Sequence, residues 1–204
     1  MWSAVVDGLV DTGYAIVDGA LGDWLCQKLR REAMRLSATM WQAAGIGRNE
    51  AYQINTQVRN DEIVWLPQDS PACAEFLKTM ESLRLAVNQA LYLGLFSYEA
   101  HFARYAPGHF YQKHFDAFHG QRGRVLTTVY YLNPGWRPED GGELYLYDAM
   151  SASEPCEVVV PVADRLVVFL SERFPHEVRP AGKTRYSIAG WFRIHHTNPL
   201  LSLV

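Results

Sequence analysis

Tyr98-Glu99-Ala100-His101-Phe102-Ala103-Arg104-Tyr105 is followed by Phe110-Tyr111-Gln112-Lys113-His114-Phe115-Asp116, and then by Arg124-Val125-Leu126-Thr127-Thr128-Val129-Tyr130-Tyr131-Leu132. Each run is short, rich in Val, Tyr, Phe and Leu, and bounded by Gly, Pro, Asn or Asp, which is how strands and their turns read. The same texture continues through 142–147, 157–160, 165–170, 174–179 and 185–194. Short strands at this regular spacing imply a β-sandwich or barrel rather than a parallel sheet.

Upstream of Gly94 the pattern is largely helical. Asp7 and Asp11 flank one brief apolar segment, and Gly13–Asp18 reads as a strand. From Asp23, Leu25, Leu29, Ala33, Leu36 and Met40 recur at helical spacing, until Gly45 and Gly47 break the pattern. Residues 48–70 read as a loop or hairpin, with Ile54, Val58, Ile63 and Trp65 as apolar points. Ser70-Pro71 starts another helix, with Ser as N-cap and Pro at the first helical position. Its apolar face is Phe76, Met80, Leu83, Val87 and Leu91, and Gly94 is the expected stop. The fold class is α+β, with helices buttressing one face of the β structure.

The 204 residues suit one domain with a substantial core: helical support over 1–97, a β core over 98–194 and a tail over 195–204. A net charge of −3 suggests neither a nucleic-acid partner nor a membrane surface. Cys26, Cys73 and Cys156 are widely spaced and odd in number, so they read as reduced thiols, not a disulfide framework. The N-terminus lacks the pattern of a signal peptide, and no apolar run approaches the ~20 residues needed to span a bilayer. Cytoplasm is the expected compartment.

His114-Phe115-Asp116 is an H-x-D triplet on an expected strand, where residues two apart share a face and can bind one ion together. Alone it says little: with seven His and 22 acidic residues in 204, nearly one such triplet arises by accident. His176, in Phe174-Pro175-His176-Glu177-Val178, supplies a second imidazole. Two His and one carboxylate form the facial triad of non-haem iron(II) oxygenases, which leaves positions open for a chelating oxoacid and O₂. A zinc hydrolase can use the same ligands. Arg185 discriminates between them. A strand running back beside the His176 segment would place its planar fork at the far end of the site, where it suits the distal carboxylate of a dicarboxylic acid. A zinc hydrolase has no need of that residue.

These residues, with Tyr105-Ala106-Pro107-Gly108, Val129–Asn133, Gly141-Gly142-Glu143-Leu144, Asp164–Phe169 and Arg185-Tyr186-Ser187-Ile188, resemble the prolyl-hydroxylase branch of the 2-oxoglutarate oxygenases. The chain looks especially like the oxygen-sensing prolyl hydroxylases that act on hypoxia-inducible factor, and their bacterial relatives. Order and spacing agree from about 99 to 194. The resemblance implies a double-stranded β-helix (jelly-roll, cupin-like) core, Fe(II) held by His114, Asp116 and His176, and 2-oxoglutarate and O₂ as co-substrates. Ascorbate would support turnover. It further implies a protein substrate hydroxylated at proline to 4-hydroxyproline, with release of succinate and CO₂. A free amino acid or another side chain is the alternative target. Several relatives modify parts of the translation machinery, which the resemblance offers as a substrate class. A non-catalytic cupin-like module sensing a metal or oxoacid is a reading from another class. The intact triad with Arg185 argues against it.

The family pattern sets Tyr105 and Tyr131 around the oxoacid, with Tyr130 on the opposite face. Thr127 shares Tyr131's face by strand parity, Ser187 shares Arg185's face, and Trp191 points inward beside the iron. Arg124 aligns with a family Arg at the substrate entrance, with Arg122 as the nearby alternative. Arg59-Asn60-Asp61 resembles the loop that covers substrate, with Asn60 where the family has Gly. It is expected to project as a charged hairpin lid. Gly141-Gly142 reads as a turn device, His109 and His119 as possible mouth residues, and His195-His196 as a solvated terminal pair.

Overall fold

The computed structural model describes residues 2–45, 55–67, 69–117, 123–149 and 153–194. Arg122, His119, His195, His196, Gly47 and Ile54, with the 195–204 tail, lie outside them. The elements are α1 (Ser3–Asp11), β1 (Tyr14–Asp18), α2 (Asp23–Arg35), β2 (Gln42–Ala43), β3 (Glu62–Trp65), α3 (Pro71–Leu91), β4 (Ser97–Tyr105), β5 (Tyr111–His114), β6 (Arg124–Tyr131), β7 (Leu144–Leu146), β8 (Glu157–Val159), β9 (Arg165–Leu170), β10 (His176–Val178) and β11 (Arg185–Arg193). Among them no helix is long and apolar enough to cross a membrane.

The strands form two antiparallel sheets. The larger runs β1-β9-β6-β11-β4-β3-β2 and the smaller β5-β10-β7-β8. Alternation across the pleat divides the larger sheet between two cores. Phe102, Leu126, Tyr130, Leu166, Val168, Ile188 and Phe192 face the helices, where Leu29, Phe76, Met80 and Leu83 are fully buried. Ala103, Tyr105, Val129, Tyr131, Val167 and Phe169 face the smaller sheet, against Leu144, Leu146, Val159 and Val178. The helices therefore buttress one face, as expected, and the other face closes a jelly-roll sandwich.

Four local expectations are corrected. α2 ends at Arg35, because Leu36 turns extended (ψ 130°), so Met40 lies in a short 3₁₀ turn and is exposed. α3 stops at Tyr92, which takes a left-handed conformation (φ 54°), ahead of Gly94. The Asn88 amide accepts from Leu95 N and donates to Leu95 O, tying down the turn that forces Tyr92 into this conformation. Ser70 does cap α3, accepting from Cys73 N. β11 does not run beside the His176 strand: it pairs with β4 and β6 in the larger sheet, while β10 belongs to the smaller one. Finally, β5 ends at His114, so Asp116 lies past the strand in a bend.

Candidate active site

Between the sheets lies a cavity of about 800 Å³. Its wall follows from parity. Odd-numbered residues of β11 (Arg185 to Arg193), of β4 (Glu99 to Tyr105) and of β6 (Thr127, Val129) point into it, and His114, Asp116 and His176 close it from the other side.

His114, Asp116 and His176 bring one ligand atom each within 4.8 Å of one another. His114 Nδ1 donates to Gln112 O (2.8 Å) and His176 Nδ1 to Phe174 O (3.0 Å). A carbonyl only accepts, so each Nδ1 carries the proton and each Nε2 lone pair faces inward. Those Nε2 atoms lie 3.7 and 3.4 Å from the Asp116 carboxylate. Burial, and then the field of His176, push the His114 pKa down to about 3, so the imidazole is neutral and able to bind a metal. Burial works against ionisation of Asp116, but His176, His114 and Arg124 outweigh it and hold the carboxyl well below its usual range. Two imidazoles and one carboxylate in this arrangement fit a divalent iron. Thr127 Oγ1 donates to Asp116 Oδ2 (2.8 Å) and lies 2.9 Å from Ser171 Oγ. Since Thr127 has one hydroxyl proton, buried Ser171 donates to it. Thr127 thus orients the carboxylate, a contact that differs from its expected place beside the oxoacid.

Arg185 is only 1% exposed. Its Nη1 donates to Ser187 Oγ (3.2 Å) and its Nε is buried without a partner. No carboxylate lies within ion-pair distance of it among the described residues. The guanidinium sits 4.8 Å from the Tyr105 ring centre and 5.0 Å from that of Tyr131, whose buried hydroxyl also lacks a partner. A buried cation and an orphaned hydroxyl in one corner form a cradle for an anionic group. Gly142 makes room for it. Its φ is +71°, and a Cβ there would lie 3.2 Å from Arg185 Cδ.

At the other end, Arg124 donates to Glu99 (3.0 and 3.2 Å) and lies 3.6 Å over the Trp191 ring. Glu99 also accepts from Arg193 Nη1 (3.0 Å). His101 sits 5.4 Å from both Trp65 and Trp191, and burial, with the field of Arg59, pulls its pKa to about 4. Trp65 is 54% exposed at the mouth. His109 is not on the cavity wall.

The charged lid is corrected. Asp61 is fully buried, with both oxygens bound by Arg59 at 2.8 and 2.6 Å. It therefore holds Arg59, and the pair lines the cavity wall instead of projecting from it as a hairpin. Asn60 donates its backbone N–H to Phe110 O (3.3 Å) and accepts from Phe110 N through its side chain (2.7 Å), the second being a bond that a Gly cannot make. Tyr111, His101 and Ser171 escaped the sequence reading. Tyr111 carries no motif of its own, and Ser171 is reached only through Thr127.

Residues 100–193 match the model of the 2OG-Fe(II) oxygenase superfamily. A Pseudomonas putida prolyl-4-hydroxylase is 41% identical, with a TM-score of 0.85 over 96% of this chain and 100% of that one. A Trichoplax adhaerens prolyl hydroxylase, solved with a hypoxia inducible factor oxygen degradation domain peptide fragment, is 30% identical, with a TM-score of 0.78 over 93% of this chain and 87% of that one. Human Egl nine homolog 1 is 31% identical over 190 residues, which cover 88% of this chain. The chain spans 43% of that relative's length. On these likenesses, this chain belongs to the 2OG-Fe(II) oxygenase superfamily, in its prolyl-hydroxylase branch.

Proposed function

We propose that the protein is an Fe(II)- and 2-oxoglutarate-dependent dioxygenase that hydroxylates a prolyl residue of a protein substrate to 4-hydroxyproline. The observation that carries this reading is Arg185, a buried cation without an acidic partner among the described residues, in the same cavity as three candidate metal ligands. When bound, iron(II) and 2-oxoglutarate supply the oxidising chemistry: with O₂ they give succinate, CO₂ and one oxygen atom inserted into a substrate C–H bond.

His114, Asp116 and His176 would hold the iron, and three protein ligands leave room for the oxoacid and O₂. Arg185 and Ser187, beside Tyr131 and Tyr105, would take the far carboxylate of 2-oxoglutarate. Thr127 fixes the Asp116 carboxylate, so the ligand geometry does not depend on the incoming groups. Arg124 and Trp191, with Trp65 at the mouth, offer a cation and flat apolar faces to a peptide. Ascorbate is expected to sustain turnover by keeping the iron reduced. The protein substrate is sought first among components of the translation machinery.

The test supplies Fe(II), 2-oxoglutarate and ascorbate, with a peptide library and free amino acids as substrates. Succinate release, with one oxygen atom added on peptidyl proline in mass spectra, is the expected result. Hydroxylation of free amino acids alone would overturn the protein-substrate reading, and absence of succinate would overturn the enzyme.

A further inference from the structure

β5 and β10 pair out of step. His176 faces His114 and Val178 faces Tyr111, so β5 spends three residues where β10 spends two. In a regular strand, residues three apart point to opposite faces. The bulge cancels that and brings Tyr111 onto the same side as His114. Their rings stack face to face, with centroids 3.4 Å apart and planes 15° from parallel.

The far face of Tyr111 is also in use. The Arg59 guanidinium lies 4.2 Å from its ring centre and is clamped by Asp61 and by Gly45 O (3.2 Å). Segment 55–61 is docked on β5 along its length. Arg59 bridges Tyr111, Gln112 N donates to Val58 O (2.8 Å), and Gln112 Nε2 donates to Gln57 O (2.8 Å). The Asn60–Phe110 clip closes the far end.

His114 needs this support. Its Nδ1 bond to Gln112 O fixes one atom of the ring but leaves the ring plane free to swing, and the plane decides where the Nε2 lone pair points. His176 has the matching arrangement, with an Nδ1 bond to Phe174 O and the Phe169 ring 4.9 Å away at 67°.

We infer that Tyr111 is a positioning residue which, held between Arg59 and His114, ties the docked position of segment 55–61 to the aim of a metal ligand. Segment and metal centre are then one mechanical unit, so displacing the segment re-aims His114. This rests on the proposed metal centre, and the test separates the two. Protein stripped of metal by a chelator is titrated with Co²⁺, whose visible bands report ligand geometry.

Tyr111→Leu keeps bulk but loses the flat face. Its Co²⁺ affinity is expected to fall about 10-fold or more, within the range for groups that orient metal ligands, and its bands to shift while circular dichroism stays native. Tyr111→Phe keeps the face and should restore both affinity and bands. The double variant Arg59→Leu/Asp61→Leu removes the clamp without leaving a lone buried charge, and should shift the bands although neither residue is a ligand. It decides the matter if Tyr111→Leu does not fold. Native affinity and bands in folded Tyr111→Leu, or in the double variant, would overturn the inference. So would a Tyr111→Phe variant as impaired as Tyr111→Leu. If the unaltered protein binds no Co²⁺, the metal centre itself is wrong.

Discussion

Arg185 is a full positive charge at 1% exposure whose polar side-chain partner is a single hydroxyl. An uncompensated buried charge destabilises a fold, whereas the same charge facing a carboxylate binds it tightly. Arg185→Met is therefore expected to leave the thermal midpoint of the ligand-free protein unchanged or raise it, while abolishing the rise that 2-oxoglutarate gives the unaltered protein. Loss of such a pair costs about 3–5 kcal/mol, so oxoacid affinity should fall at least about 100-fold, with metal affinity unchanged. Calorimetric titration with 2-oxoglutarate and with Co²⁺ checks both, and unchanged oxoacid affinity refutes the role. His114, Asp116 and His176 were legible because the triplet and the later His keep the family's order. His114→Ala, Asp116→Ala and His176→Ala should each abolish metal binding and succinate release, and two variants retaining near-normal release would refute the ligand set. Thr127 shows where residue-level reading runs out. Parity gives its face, but only the bend after His114 reveals that Asp116 accepts its hydrogen bond. Thr127→Val keeps the volume and loses that bond, so metal affinity should drop about 10-fold, read by the same Co²⁺ titration.

Strands are where the sequence spoke most clearly, because alternation survives in short segments: β9 was read with both ends in place, and β4, β6 and β11 to within a residue. Pairing was not legible. Nothing local says that β10 and β11, nine residues apart at His176 and Arg185, belong to different sheets, because long-range register carries no local signal. The loop at 59–61 was read as a projecting hairpin lid because it resembles the loop that covers substrate and lies between apolar-punctuated segments. Its charges instead neutralise each other inside the protein. That reverses an expectation about Asp61→Ala: as a lid residue it would spare substrate-free turnover of 2-oxoglutarate, whereas a buried partner cannot be removed so cleanly. Asp61→Ala leaves Arg59 charged and unpaired, which costs about 3–5 kcal/mol. Peptide hydroxylation and substrate-free turnover should fall together, with a lower thermal midpoint. A variant with a native midpoint and only peptide hydroxylation impaired would restore the lid reading.

The seven-stranded sheet serves two cores at once, since neighbouring residues of one strand belong to different ones. Tyr130 packs among the helices and donates its hydroxyl to Asp164, while Tyr131 stands over Arg185. Support from 1–97 and the site-bearing core over 98–194 thus meet through single peptide bonds, which argues that they form one folding unit. Phe76 tests this from the far side. It is fully buried in α3, 5.8 Å from the Tyr130 ring and 6.4 Å from that of Tyr98, and is not on the cavity wall. Phe76→Ala should cost about 3–5 kcal/mol and lower the thermal midpoint by roughly 2–4 °C per kcal/mol. At low temperature its Co²⁺ affinity should match that of the unaltered protein, because no ligand or ligand support is touched. On heating, helical circular dichroism and bound-Co²⁺ absorbance should vanish in one shared transition, displaced to lower temperature. If helicity melts first and the Co²⁺ bands persist, the 98–194 core stands without its buttress and the chain folds as two units.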